Sequence, residues 1–390
     1  MNALKNRNEP LLKLAFEWHK QGKLLPDTYL LDLDSIVENA RTMKQEADRV
    51  GVELFFMTKQ LGRNPAVCKK LIGLGYAGAV VVDFREAQVM MKNHIPIAHA
   101  GHLVQIPNAG LTELLSYGVG LMTVFSIQKA KRINAICEKL GIVQSIAVKF
   151  YGQDDFIYPG QEAGFAVVNL PQVLADLQLL SHIKLTTLTS FPCFLYNEQE
   201  KAVKPVTNLT TMQDAKNKAE AILHYTLQLN VPSCTQTELL TQIALQGGQS
   251  AEPGSALIGM TPNNRRGEAK EIPSLVYLTE VSHNFKDYGY CFGGGAYCRG
   301  VINQALVGKT YDNACLMAVH QRSAENIDYH FELAQHAQIG DAVAMCFRTQ
   351  IFVTRSQVAV ISGLHSGKPV LEGLYSSQGE RLSKGDVDCE

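Results

Sequence analysis

Between about Thr28 and Met260 the chain alternates short apolar runs with longer amphipathic stretches, which restricts it to folds built from strand–helix units around a parallel sheet. The runs are, in order, ELFFMTKQ, AGAVVVDF, IAHAGHLVQ, VGLMTVFS, SIAVKFYG, IKLTTLTSF, LNVPSCTQ and GQSAEPGSALIG, eight in all. Eight such units close into a (β/α)8 barrel. The stretches between them read as helices on their own terms. Asn64 stands as an N-cap before Pro65 at the first helical position, with Gly73 and Gly75 marking the stop. Ser126 caps IQKAKRINAICEKLG, whose Ile127, Ala130, Ile133, Ile136, Cys137 and Leu140 form one apolar face.

After Pro262 the pattern changes. PNNRRGEAKEIP is a polar, turn-rich linker, and LVYLTEVSHNF, YGYCFGGGAYCRGV, DAVAMCF, TQIFVTRSQVAVISG and PVLEGLY read as antiparallel strands. The expected architecture is α/β, a (β/α)8 TIM-type barrel over 28–265 with a C-terminal mostly-β domain over 266–390. Residues 1–27 supply an N-terminal helix that packs outside the barrel or with the β domain, and Thr28 to Leu33 could pair with that domain. A chain of 390 residues, 46% of them hydrophobic, suffices for one large core and a smaller one.

The formal net charge of -1, with no concentrated Lys/Arg block, excludes the electrostatic footprint of a nucleic-acid or anionic-membrane binder. A small-molecule partner is expected instead. The opening residues carry charges throughout, with no uninterrupted apolar core, and no later stretch reaches membrane-spanning length, so a cytoplasmic protein is expected. The nine cysteines include no C-x-x-C pair, which suggests neither a disulfide framework nor a metal site. His99 and His102 are three apart, which on a strand puts them on opposite faces, so shared metal ligation is not expected. Residues 293–295, GGG, read as a tight turn.

In a barrel of this kind the chemistry sits at the C-terminal ends of the strands, and phosphate groups bind at the loops after strands seven and eight. Here those loops hold Ser233 and Thr235, then Glu252, Gly254 and Ser255. Hydroxyls and a glycine that lets backbone N–H groups approach suit an anion, and the following SALIG could expose a helix N-terminus. Lys59 ends the first strand after four apolar residues, where burial favours the neutral amine that condenses with an aldehyde. Lys149, at the end of the fifth, is its rival or a supporting charge. Glu252 beside the phosphate loop could face a heteroaromatic nitrogen and keep it protonated, which makes a strong electron sink; equally, it could be a residue favoured at a helix start.

The barrel order, the lysine after strand one, the Ser/Thr loop after strand seven and the EPG motif after strand eight resemble the fold-type III enzymes of pyridoxal 5'-phosphate (PLP), the alanine racemase group, and among them the YhfX proteins. The resemblance implies Lys59 as the Schiff-base lysine, Glu252 as partner of the pyridine nitrogen, and Ser233, Thr235, Gly254 and Ser255 as phosphate ligands. Ser190, with Thr189 and Phe191, would pack against the ring. It also implies a head-to-tail homodimer in which each β domain closes the partner's barrel mouth.

Alanine racemases carry Arg where this chain has Glu252, whereas decarboxylases of the same fold type carry Glu. The expected activity is that of an amino-acid racemase or epimerase, an isomerase acting at Cα of a small amino acid. Its alternatives are a PLP-dependent lyase, decarboxylase or aldolase, and a non-catalytic PLP-binding or regulatory protein. The second base of a racemase has four candidates in VSHNFKDYGYCFGGG: His283, Tyr288, Tyr290 and Cys291. Each could equally be a strand residue that only packs.

Overall fold

In the computed structural model, which describes residues 1–265, 267–320, 323 and 325–384, the eight runs become eight parallel strands. These are Glu53–Met57, Gly78–Val80, Ile97–Ala100, Val119–Val124, Gln144–Tyr151, Ile183–Thr189, Gln228–Asn230 and Ser250–Ala251. They pair in chain order, and the last closes on the first through Ser250 opposite Glu53 and Ala251 opposite Leu54. The closed ring leaves no free edge for its strands. Helices lie between successive strands, and their ends follow local chemistry. The Asn64 side chain accepts from the N–H groups of Ala66 and Val67 at 3.0 and 3.2 Å, opening Pro65–Gly73. Ser126 accepts from Lys129 N–H at 3.2 Å, opening Ile127–Leu140, which buries Ala130, Ile133, Ile136 and Cys137. The sequence reading passed over a short hairpin after the sixth strand, Phe194–Asn197 with Ala202–Pro205.

By packing, the chain divides into two compact units: 41–58 with 68–254, and 1–40 with 59–67 and 255–390. The barrel sheet lies wholly in the first. The second is built on a ten-stranded sheet, with Cys315–Ala318, Gln304–Gly308, Ala342–Met345, Leu275–Phe285, Thr28–Asp32, Gln357–Ser362, Val370–Ser376 and Arg381–Lys384 in spatial order. Tyr288–Phe292 and His330–Leu333 branch from Leu275–Phe285.

Thr28–Asp32 is therefore an interior strand of this sheet, antiparallel to Leu275–Phe285 and parallel to Gln357–Ser362. Its burial at every position is the reason: a run with Tyr29, Leu30 and Leu31 at its centre has apolar side chains on both faces, and both need cover. The helix Glu9–Lys20 lays Leu11, Leu12, Ala15 and Phe16 on Leu30, Val276, Leu278 and Ala359 of the same sheet. Within TQIFVTR the chain makes a one-turn helix, Ile351–Val353, rather than a strand. Among the described residues no helix is long and apolar enough to cross a membrane.

Candidate active site

The C-terminal ends of barrel strands one and eight are tied together, with Met57 N–H donating to the Pro253 carbonyl at 2.9 Å. The residue directly after strand eight is Glu252, whose side chain is 1% exposed. Its Oε1 lies 2.8 Å from Nδ1 of His99, a fully buried imidazole on strand three. Nε2 of His99 in turn lies 2.6 Å from Thr123 Oγ1 on strand four. Among the described residues, Glu252 Oε2 has no hydrogen-bond partner. Burial alone would raise the Glu252 carboxyl, but the charge of His102, the hydrogen bond and charge of His99 and the neighbouring Asn230 amide outweigh it, leaving the group below its ordinary 4.5. Asn230 is held in place by donating to Ser250 Oγ at 3.0 Å and accepting from Thr189 Oγ1 at 2.9 Å. An ionised, buried carboxylate with one oxygen unpaired is a high-energy arrangement unless a donor meets it.

His102 stands beside His99, with ring centroids 5.1 Å apart and planes inclined by 36°, which corrects the expectation of opposite faces. The alternation argument fails because the strand ends at Ala100 and Gly101 turns the chain at φ 79. A Cβ on Gly101 would stand 2.6 Å from the Thr123 carbonyl, so the turn requires glycine. Gln105 Nε2 pins it, donating to the carbonyls of Gly101 and Thr123 at 2.7 and 2.8 Å. From His102 a series of rings leads outward through Phe191 (6.0 Å) and Tyr158 (5.9 Å) to Phe156 (4.8 Å), which is 43% exposed.

The remaining predicted barrel residues fare differently. Ser190, directly after strand six, is fully buried, and its Oγ has no partner among the described residues. Thr235 Oγ1 accepts from Glu252 N–H at 3.3 Å and so links the loops after strands seven and eight. The Ser233 hydroxyl is already committed: it accepts from Cys193 and Phe194 N–H at 3.1 and 3.0 Å and donates to the Phe194 carbonyl at 2.9 Å. Its backbone is left-handed, at φ 88, as is that of Cys234 at φ 51. Lys149 is buried, and that burial lowers its amine, with the charges of Asp155, Cys193 and Glu162 opposing.

Gly254 closes the barrel unit in the chain, and Ser255 opens the last segment of the other unit. The run after Ser255 is a series of turns, with Gly259 N–H bonded to the Ala256 carbonyl and Met260 N–H to that of Ser255, at 3.0 and 2.9 Å. No regular helix starts there, because Gly259 takes φ 64 and any Cβ on it would fall 2.2 Å from the Ile272 carbonyl. Lys59, two residues beyond Met57, begins a one-turn helix, Lys59–Leu61, and is half-buried.

Among the second-base candidates, alternation along Tyr288–Phe292 separates Cys291 from the rest. Cys291 is buried, with its thiol pushed up to about 12 by that burial. His283 and Tyr290 stack on the opposite face, centroids 4.9 Å apart and 6° from parallel. Tyr290 OH donates to Glu332 Oε2 at 2.8 Å, and Glu332 Oε1 meets His320 Nδ1 at 2.5 Å. Tyr288 sits edge-on to His320 at 5.0 Å.

Sequence reasoning missed His99, Thr123 and Asn230 as site residues. The available signal was a polar side chain at the C-terminal end of an otherwise apolar strand, as in IAHA, GLMTV and LN. A cavity of about 960 Å³ opens at the other end of the barrel, lined by residues at strand starts such as Glu53, Ile97, Lys184 and Gln228. Glu252 is not among its lining residues.

Comparison with known proteins accords with this geometry. Residues 31–262 match the family model of the alanine racemase N-terminal domain, and 276–371 that of the YhfX-like C-terminal domain. The uncharacterised protein YhfX of Escherichia coli (strain K12) is 42% identical over 384 residues, covering 98% of this chain and 99% of that one. D-threonine aldolase from Filomicrobium marinum superimposes with a TM-score of 0.67 at 14% identity, over 90% of this chain and 94% of its own. Alanine racemase of Clostridium difficile 630 does so at 0.64 and 14%, over 90% and 99%. D-threo-3-hydroxyaspartate dehydratase from Delftia sp. HT23 does so at 0.64 and 16%, over 86% and 95%. At such identities the three structures establish the fold. The chain therefore belongs to the alanine racemase N-terminal domain family and joins that barrel to a YhfX-like C-terminal domain.

Proposed function

We propose that this protein binds PLP and acts at Cα of a small amino acid, as a racemase or epimerase. The observation that carries the reading is the buried, ionised Glu252 with Oε2 unpartnered, a site that calls for an N–H donor. Glu252 would accept that bond from the pyridine nitrogen, with His99 fixing the carboxylate's orientation. Lys59 would supply the amine that carries the cofactor. Thr235, Gly254 and Ser255 would hold the phosphate, Ser190 would offer its free hydroxyl, and Lys149 would add positive charge. Ser233 leaves the ligand set we proposed, since its hydroxyl is spent on the loop it shapes. When bound, PLP supplies the electron sink for the pair left at Cα when a bond there breaks.

Racemisation needs a base on each face. Lys59 would remove the Cα proton from one side, and a residue of the C-terminal domain of a second copy would deliver a proton to the other. Tyr290 suits that role better than Cys291, because its phenol is already part of a proton chain to Glu332 and His320. A head-to-tail homodimer in the cytoplasm is part of this reading.

A lyase is the second reading. Glu252 favours it, since a protonated pyridinium stabilises the electron pair left by loss of a carboxylate or an aldehyde as well as by loss of a proton. Of the structures with this fold, the aldolase is named for cleavage that releases an aldehyde and the dehydratase for loss of water. Incubation with amino acids in deuterated water separates the two. Cα deuterium with loss of optical activity supports the isomerase; carbon dioxide, aldehyde or ammonia without racemisation supports the lyase.

A further inference from the structure

The segment that follows Lys59 is gripped by later parts of its own unit. Gly62 and Arg63 are consecutive left-handed residues, at φ 63 and 55. A Cβ on Gly62 would stand 3.0 Å from Ile351 Cγ2 and 3.1 Å from Val358 Cγ2, so the backbone there lies flat against those side chains. Arg63 adopts a conformation disfavoured for any residue with a Cβ, where glycine would serve the turn better. The position therefore has a use for its side chain.

That side chain is 2% exposed. Its guanidinium carbon lies 5.0 Å from the centroid of the Phe352 ring, and Nη1 donates to Gln378 Oε1 at 2.5 Å. Gln378 Nε2 donates to the Phe352 carbonyl, closing the set. Gly379, at φ 82, completes the grip from the other side, because a Cβ on it would fall 2.4 Å from the Arg63 carbonyl oxygen. A planar fork stacked on one face and bonded at one end has little rotational freedom, unlike an ammonium.

We propose that Arg63 is a positioning residue for Lys59. Clamped between Phe352 and Gln378, it fixes the backbone of 62–63 and with it the one-turn helix from which the Lys59 side chain starts. The inference rests on the reading of Lys59 as the cofactor lysine, and it gives the 351–379 region a part in that lysine's reactivity. Small displacements of a reacting group are costly in rate, which is why such a grip would matter.

Two measurements on the full-length protein test it, with Arg63→Met, Arg63→Lys and Phe352→Leu. The first is amide hydrogen exchange without cofactor. Exchange across 59–67 is expected to rise about tenfold in Arg63→Met while the strands Ile97–Ala100 and Gln357–Ser362 stay at wild-type rates. The second is the rate at which added PLP, trapped by borohydride, labels Lys59. It is expected to fall about tenfold in Arg63→Met, to stay low in Arg63→Lys, which restores charge without the fork, and to fall less in Phe352→Leu. Should Arg63→Met fail to fold, Phe352→Leu decides alone. Exchange and labelling both at wild-type rates would overturn the proposal. So would a uniform rise in exchange over the whole chain, or a local rise with labelling unchanged. If PLP never labels Lys59 in the wild type, the cofactor reading fails, while the exchange experiment still decides whether Arg63 holds the segment.

Discussion

His99 and Glu252 face each other at 2.8 Å inside the barrel, both shielded from water, and the second carboxylate oxygen of Glu252 has no partner among the described residues. One imidazole thus links strand three to the residue after strand eight, with Thr123 holding its far nitrogen. Removing His99 takes away the hydrogen bond to Oε1 and leaves only His102 and Asn230 to offset the burial of the carboxylate. His99→Ala is expected to lose about 3 kcal/mol of unfolding free energy, and Glu252→Gln placed in that background to restore much of it. Urea unfolding of the two single variants and the double variant checks this. A double-variant cycle without coupling would show that the pair contributes nothing.

The same carboxylate sets a pH dependence whose sign is fixed. Its folded value lies below 4.5, because His102, His99 and Asn230 together outweigh burial. A depressed carboxylate contributes stability that is present above the unfolded value and is lost as pH falls through the folded one. The stability difference between wild type and Glu252→Gln should therefore hold steady through neutral pH and shift against the wild type below about pH 4. Thermal unfolding of both proteins between neutral and acid pH measures it. A difference that does not change with pH would mean that the carboxyl titrates alike in the folded and unfolded chain, and one that turns against the wild type as pH rises above 4.5 would mean that Glu252 is protonated in the fold.

Subunit complementation tests the proposed dimer and its second base together. Lys59→Ala and Tyr290→Phe should each be inactive in isomerisation. Mixed and reassembled, they should recover about a quarter of the wild-type sites, since half the dimers are hybrids and each hybrid holds one intact site. Loss of optical activity of the amino acid provides the assay. Wild-type-like activity in Tyr290→Phe would remove that tyrosine from the mechanism.

The barrel was legible because its signals are local. The early strands are short apolar runs, and two of the helices between strands open on a cap that the sequence itself names, Asn64 and Ser126. Glu252 was legible from its place beside a glycine after strand eight. Its partners were not, because the contact between His99 and Glu252 spans 153 residues of sequence and strand alternation misdirected His102. The turn at Gly101 that brings the two rings together depends on a neighbouring strand's carbonyl, which no local pattern reports. The bonds that the Ser233 hydroxyl makes to the backbone of Cys193 and Phe194 were equally hidden, since they span about 40 residues of sequence.

The central claim is that Lys59 carries the cofactor, and Lys149, buried with its amine lowered, is the internal rival. Purified protein incubated with PLP, reduced with borohydride, digested and mapped by mass spectrometry decides between them. The pyridoxyl mass is expected on Lys59, with the associated absorbance lost in Lys59→Ala and kept in Lys149→Met. Label on Lys149, or a reducible chromophore that survives in Lys59→Ala, would contradict the account.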